Sequence, residues 1–498
     1  MSGADLDRDA CYRALTARDA RFDGRFYTGV RTTGIYCRPI CPARTPKLEN
    51  CIFLPSAAAA HQMGFRPCLR CRPEVAPGLA GWRGSASTVS RALHLIAEGA
   101  MDEAGVERLA ERLGVGARHL RRLFDQHVGA PPVSVAQTHR ILFAKTLINE
   151  TALPMTDVAL AAGFGSVRRF NAVMQAVYRR PPGELRRSSK ACGAAPGVTL
   201  KLPFTPPYDW AAMTEFLALR AIPGVEQVEP DRYRRSLALE GARGLVEVRP
   251  APGQTHLVAT IQTSDVAALA AIVARLRRLF DLDADIAAID AHLAADPRLA
   301  AQVRARPGLR VPGAWDGFEL AVRAVLGQQI SVRGATTFAG RLAAAHGEPL
   351  GLVGAPADAP DRLFPTPEAV AGAELTAIGL TRARAATLNA LGRAMAADPH
   401  LLRAYETLEE TTLKLTALPG VGPWTAHYVA MRALREPDAF PAADLGLLRA
   451  VQTAGGRPSP AQLAAMAEAW RPWRAYAALR LWMQGGPTDA AADLALAS

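Results

Sequence analysis

"LPGVGPWTAHYVAMR", residues 418–432, decides how the second half of this chain folds. Helical text ends at "LKLTAL", a Gly-rich turn comes next, and a second helix is predicted from about Thr425. That is a helix-hairpin-helix. Gly420 and Gly422 let backbone N–H groups point outward, and the N-terminus of the next helix, where Thr425 lies, favours an anion such as a DNA phosphate. A hairpin of this kind grips backbone without reading sequence. It predicts contact with nucleic acid and does not specify chemistry.

The chemistry is carried further along the chain. "FPAADLGLLRA" (440–450) places Asp444 22 residues beyond Gly422. A single Asp after a Pro in Ala-rich text is ordinarily a helix N-cap; the preceding hairpin makes it a candidate catalytic carboxylate. The arrangement resembles the helix-hairpin-helix DNA glycosylases. That resemblance implies that Asp444 stabilises the cationic sugar as a base departs, or activates the attacking water. Bifunctional relatives carry a Lys immediately before "TA" of the hairpin, where this chain has Trp424. The resemblance therefore implies a monofunctional enzyme that releases a base without cutting the strand.

Residues 199 to about 486 are similar to the AlkA-type alkylbase glycosylases. "PPYDWAAMTEFLALRAIPGVE" (206–226), "RPGLRVPGAWDGFELAVRAVLGQQIS" (306–331) and "WRPWRAYAALRLW" (470–482) carry the match. It implies a flipped base stacked in an aromatic cleft, with Phe216, Trp424 and Tyr428 at pocket positions and Trp473 as a fourth candidate. Taken singly, each aromatic reads as core. A cleft of this kind suits N-alkylated purines such as 3-methyladenine, which are cationic and good leaving groups. Gln329 falls where the family inserts an apolar wedge, and Leu445 stands where AlkA has an aromatic; both are departures.

At the other end, Cys37 and Cys41 form a CxxxC pair, and Cys68 and Cys71 a CxxC pair after 26 intervening residues. An odd number of cysteines, seven, in a chain expected to be cytosolic argues against a disulfide framework. Two close pairs are suitable spacing for one tetrahedral Zn²⁺, and no organic cofactor is indicated. "VRTTGIYCRPICPAR" with "GFRPCLRCRP" resembles the N-terminal domain of the Ada-type adaptive-response proteins. The resemblance implies that Cys37 is both a zinc ligand and the acceptor of a methyl group from a DNA methylphosphotriester. Arg31, Arg38, Arg44 and Arg70 are candidate phosphate contacts. The "PCHR" motif of the Ada domain that repairs O6-methylguanine is absent, and residues 191–498 hold only Cys192, so that activity is not expected.

The net charge of +12 is unevenly placed. Residues 1–80 carry 12 Lys/Arg against 7 Asp/Glu, residues 103–190 carry 14 against 7, and residues 191–498 balance at 30 each. An excess confined to the first 190 residues marks a polyanion partner. Within it, "VERLAERLGVGARHLRRLF" (106–124) is echoed by "DVALAAGFGSVRRFNAVM" (157–174), with Gly114 and Gly163 49 residues apart. Each is a support helix, a tight turn and an Arg-bearing second helix. Arg118, Arg121, Arg122, Arg168 and Arg169 are the candidate DNA contacts. The pair resembles the double helix-turn-helix of AraC-type regulators.

The expected chain is a multidomain α+β protein. A zinc/methyl-acceptor domain (1–76, small α/β) precedes a linker (77–88), an all-α double helix-turn-helix domain (89–187) and a second linker (188–198). A strand-rich α+β subdomain (199–285) and an all-α helix-hairpin-helix body (286–498) complete it. Expected partners are alkylated and promoter double-stranded DNA, and RNA polymerase through an activator role. No apolar run approaches a membrane span, so a cytoplasmic monomer is expected. The rival reading is a regulator whose glycosylase-like half only binds DNA.

Overall fold

A computed structural model describes residues 7–77, 88–101, 105–187, 197–239, 241–402, 407–453 and 456–484. Most of both predicted linkers, and Cys192, lie outside the described residues.

The N-terminal unit is built on a four-stranded sheet, β1 (Tyr27–Val30), β2 (Ile35–Cys37), β3 (Cys51–Leu54) and β4 (Arg66–Pro67), in the order β3-β1-β2-β4. β1 and β2 form an antiparallel hairpin, whereas β4 lies parallel to β2 with Tyr36 opposite Pro67. That parallel pairing sets Cys68 beside Cys37. Gly29 on β1 is required by space: a Cβ there would stand 2.7 Å from the Phe65 ring.

Two helix-turn-helix units come next. Val106–Leu113 and Ala117–His127 form the first, and Met155–Ala161 and Val167–Tyr178 the second, with Pro132–Glu150 between them. Gly114 and Gly163 both take positive φ, +73° and +76°, at the turns. In the second helices Leu120 and Phe124, and Phe170 and Met174, are buried. Arg118, Arg121, Arg122, Arg168 and Arg169 are all exposed on the faces left over.

Beyond them, β5 (Val198–Pro203), β6 (Glu226–Glu229), β7 (Arg232–Leu239), β8 (Ala242–Pro250) and β9 (His256–Thr263) make an antiparallel sheet ordered β5-β9-β8-β7-β6. The rest is helical. Arg235 of β7 meets Glu319 of helix Gly317–Leu326 at 2.8 Å, both side chains buried, and Arg323 meets the same carboxylate at 2.6 Å. Glu226 at the start of β6 meets both arginines as well, so two cations and two anions are paired in a cluster that ties sheet to helical body. Removing any one member would strand a buried charge.

The units are packed against one another. Ile141, Leu147 and Val158 of the helix-turn-helix region share one apolar core with Leu200, Val246 and Ile261 of the sheet. Ser56 Oγ donates to Val128 O at 2.7 Å, and His61 lies 3.0 Å from Thr138. No described helix is long and apolar enough to cross a membrane.

Candidate functional site

The hairpin joins helix Leu408–Thr416 to helix Pro423–Arg432. Gly420 has φ +78°, and a Cβ there would lie 2.3 Å from Thr387 Oγ1, so both conformation and space demand glycine. Gly422 is the N-cap of the second helix and brings no capping side chain. The first N–H groups of that helix are thus left for an anion. Thr425 turns inward: it is 3% exposed, and its hydroxyl accepts from Gln328 Nε2 at 3.1 Å. Gln328 Nε2 also donates to Gly420 O at 2.9 Å, bracing the turn. The adjacent Gln329 is exposed and holds φ +58°, a left-handed conformation at the tip of its loop.

Asp444 is an N-cap and more. Its Oδ1 accepts from Leu447 N at 3.0 Å, capping helix Leu445–Ala450. Trp424 Nε1 donates to Oδ2 at 2.7 Å and Trp482 Nε1 to Oδ1 at 2.9 Å. Trp424 stacks on Tyr428 with ring centroids 5.2 Å apart and planes 10° off parallel; Trp482 lies 6.3 Å from Tyr428. One carboxylate and three aromatic rings therefore form a single half-buried constellation.

Phe216 adjoins it through cations. The Arg220 guanidinium lies 3.8 Å and that of Arg432 4.8 Å from its ring centroid, and Phe216 is only 4% exposed. Arg432 also donates to Tyr428 Oη at 2.7 Å. Burial pushes the Tyr428 phenol up, but the Arg432 and Arg220 guanidiniums outweigh it and hold the phenol below its ordinary value. Trp473 is elsewhere: it is buried edge-on to Tyr476, 6.2 Å between centroids. Trp482, and not Trp473, joins Trp424 on Asp444. It stands at the end of the quoted "WRPWRAYAALRLW", where nothing local distinguishes it from Trp473.

In the N-terminal unit the sulfurs of Cys37, Cys41, Cys68 and Cys71 all lie within 4.8 Å of one another. Tetrahedral Zn–S bonds of about 2.3 Å need sulfurs roughly 3.8 Å apart, so four thiolates at this spacing fit Zn²⁺. Cys41, Cys68 and Cys71 are 6–7% exposed, whereas Cys37 is half-buried and the most open of the four. Arg38 N donates to Cys71 Sγ at 3.3 Å. The Arg38 side chain is itself buried, bonded to Asp23 and to Cys71 O, so it braces the site instead of facing a phosphate. Arg31, Arg44 and Arg70 are exposed. Cys11 and Cys51 are buried free thiols outside the cluster.

Comparison with known proteins accords with this layout. The metal binding domain of Ada matches residues 10–74, a helix-turn-helix domain residues 109–188, the AlkA N-terminal domain residues 199–316, and the HhH-GPD superfamily base excision DNA repair proteins residues 322–475. A probable bifunctional transcriptional activator/DNA repair enzyme AlkA of Mycobacterium tuberculosis is 44% identical over 96% of this chain and 96% of its own length. DNA-3-methyladenine glycosylase 2 of Escherichia coli is 37% identical, covering 57% of this chain and 97% of that one. The structure of a 3-methyladenine DNA glycosylase from Archaeoglobus fulgidus, 23% identical, superposes with a TM-score of 0.50 over 57% of this chain and 97% of its own, and shares the fold.

Proposed function

This chain belongs to the family of bifunctional transcriptional activator/DNA repair enzymes, and from that premise we propose that both of its ends act on alkylated DNA. The C-terminal half hydrolyses the N-glycosidic bond of N-alkylated purines such as 3-methyladenine. The observation that carries this reading is the clamped carboxylate of Asp444 beside the Trp424–Tyr428 stack. A base flipped onto those rings leaves its sugar C1′ with developing positive charge, which an ionised, fixed carboxylate stabilises. With Trp424 where a Schiff-base lysine would stand, no amine attacks the sugar, and water completes the hydrolysis. The hairpin amides after Gly420 hold the backbone, and Gln329, exposed at its loop tip, enters the gap in the duplex.

At the N-terminus, Cys37, Cys41, Cys68 and Cys71 would hold one Zn²⁺, which keeps the sulfurs deprotonated at neutral pH. Cys37, as the most open sulfur, is the methyl acceptor. Its Sγ attacks the methyl carbon of a phosphotriester; the S–C bond forms, the C–O bond breaks, and a phosphodiester anion leaves. A neutral thioether replaces a thiolate, the centre becomes less negative, and its repulsion of DNA falls. Arg31, Arg44 and the exposed arginines of both second helices then bind promoter DNA. Activation would proceed through RNA polymerase, by a cytoplasmic monomer.

Base release from methylated duplex DNA tests the enzymatic half. Wild type is expected to release alkylpurine without strand cleavage, and Asp444→Asn to lose about a hundredfold or more. Absence of release by wild type would instead favour a regulator whose glycosylase-like half only binds DNA.

A further inference from the structure

Gly446 has no conformational need to be glycine. It lies in the first turn of helix Leu445–Ala450 with φ outside the left-handed region, where any residue fits and glycine weakens the helix. Its need is spatial. A Cβ at Gly446 would stand 3.0 Å from Asp444 Oδ1, 3.3 Å from Trp482 Cδ1 and 3.6 Å from Trp482 Nε1. The missing methyl is the space through which the Trp482 indole reaches the carboxylate, from a position 38 residues further along the chain.

The donors on Asp444 divide unequally. Oδ1 receives two, Leu447 N and Trp482 Nε1, whereas Oδ2 receives one, Trp424 Nε1. A carboxylate oxygen offers about two lone-pair positions, so Oδ1 is saturated and Oδ2 keeps one position open. Indole N–H donates and does not accept, so neither tryptophan exchanges a proton with the carboxylate.

We propose that Gly446 and Trp482 form a positioning device that saturates Oδ1 and leaves Oδ2 as the oxygen that faces the reacting sugar or water. Trp482 is then a positioning residue, and Gly446 is the vacancy that admits it. This rests on the glycosylase function proposed for the C-terminal half. It adds the assignment of the working oxygen and two residues that act through Asp444.

The test uses the full-length zinc-loaded protein in initial-rate base release from alkylated duplex, under conditions where the chemical step limits kcat. Trp482→Phe keeps the ring and removes the donor. Gly446→Ala keeps every donor and closes the space. Each is expected to lower kcat about tenfold to a hundredfold, the effect of one hydrogen bond to a charged group, with KM within about twofold. Gly446→Ala gains helix propensity, but its Cβ crowds Asp444 Oδ1 and Trp482 Cδ1, so the melting temperature of each variant is measured alongside and a rate lost in a folded variant is separated from unfolding. In an Asp444→Asn background, Trp482→Phe should cost nothing further. Wild-type kcat in both single variants, or an equal additional loss of Trp482→Phe in the Asp444→Asn background, would overturn the proposal. Failure of wild type to release any base would overturn the glycosylase function instead.

Discussion

Arg72, the residue after Cys71, reaches Glu150 at the end of helix Pro132–Glu150, its Nη2 donating to Oε1 at 3.2 Å. The other oxygen of Glu150 accepts from the backbone N–H of Lys201 on β5 at 2.9 Å. One carboxylate, its side chain 8% exposed, thus joins the cysteine-bearing unit, the helix-turn-helix region and the sheet. Glu150→Ala leaves the Lys201 N–H unmet, while Arg72 retains Glu74 at 3.1 Å. The variant should lose about 1–3 kcal/mol in denaturant unfolding. A change under about 0.5 kcal/mol would show that the junction is solvated and slack.

Gly420 and Gly422 sit two residues apart and should respond differently. Gly420→Ala meets Thr387 Oγ1 at 2.3 Å in a backbone at φ +78°, whereas a Cβ at Gly422 meets nothing within 4 Å. Gly420→Ala is expected to destabilise by about 1–3 kcal/mol and to weaken binding to undamaged duplex. Gly422→Ala should fold normally. Thermal unfolding and a fluorescence-anisotropy titration separate the two.

Acid should destabilise the fold before any carboxylate of the surface titrates. Burial pushes His61, His139 and His427 down to about 4 from 6.5. Each is neutral when folded, so its contribution is complete above pH 6.5 and is lost as pH falls toward 4. Glu436 has the opposite sign: burial pushes it up to about 7, and its contribution is present below pH 4.5 and lost as pH rises through 7. Three imidazoles outweigh one carboxyl where the windows overlap. The melting temperature should therefore fall between about pH 6.5 and about pH 4.5, and fall less in His427→Gln.

Metal removal should unfold the N-terminal unit. Cys41, Cys68 and Cys71 form their own buried cluster, and the main apolar core beside it has seven buried members among the described residues. Without the ion, four thiols would meet where a small core has little else to offer. Chelation should expose residues 7–76 to protease while the glycosylase half stays resistant. Equal resistance with and without chelator would contradict this.

Local patterns are legible in the sequence and distant ones are not. The cysteine pairs stand out because two ligands sit within five residues. Asp444 stands out because a hairpin lies 22 residues before it. The inward turn of Thr425 and the burial of Arg38 depend on Gln328 and Asp23, residues that adjacency in sequence does not supply. Trp482 is hidden for the same reason. Trp473 and Trp482 lie on one stretch of helical text, and only the tertiary packing tells which indole reaches the carboxylate.

The most direct measurement of the two-site function is one reaction scored twice. The zinc-loaded chain is incubated with methylated duplex DNA; released bases are quantified, and the peptide containing Cys37 is weighed by mass spectrometry. Wild type should release alkylpurine and gain one methyl on Cys37; Asp444→Asn should lose only base release, and Cys37→Ala only methyl uptake. Base release that survives Asp444→Asn, or a methyl that still arrives in the Cys37→Ala protein, would contradict the assignment of the two sites.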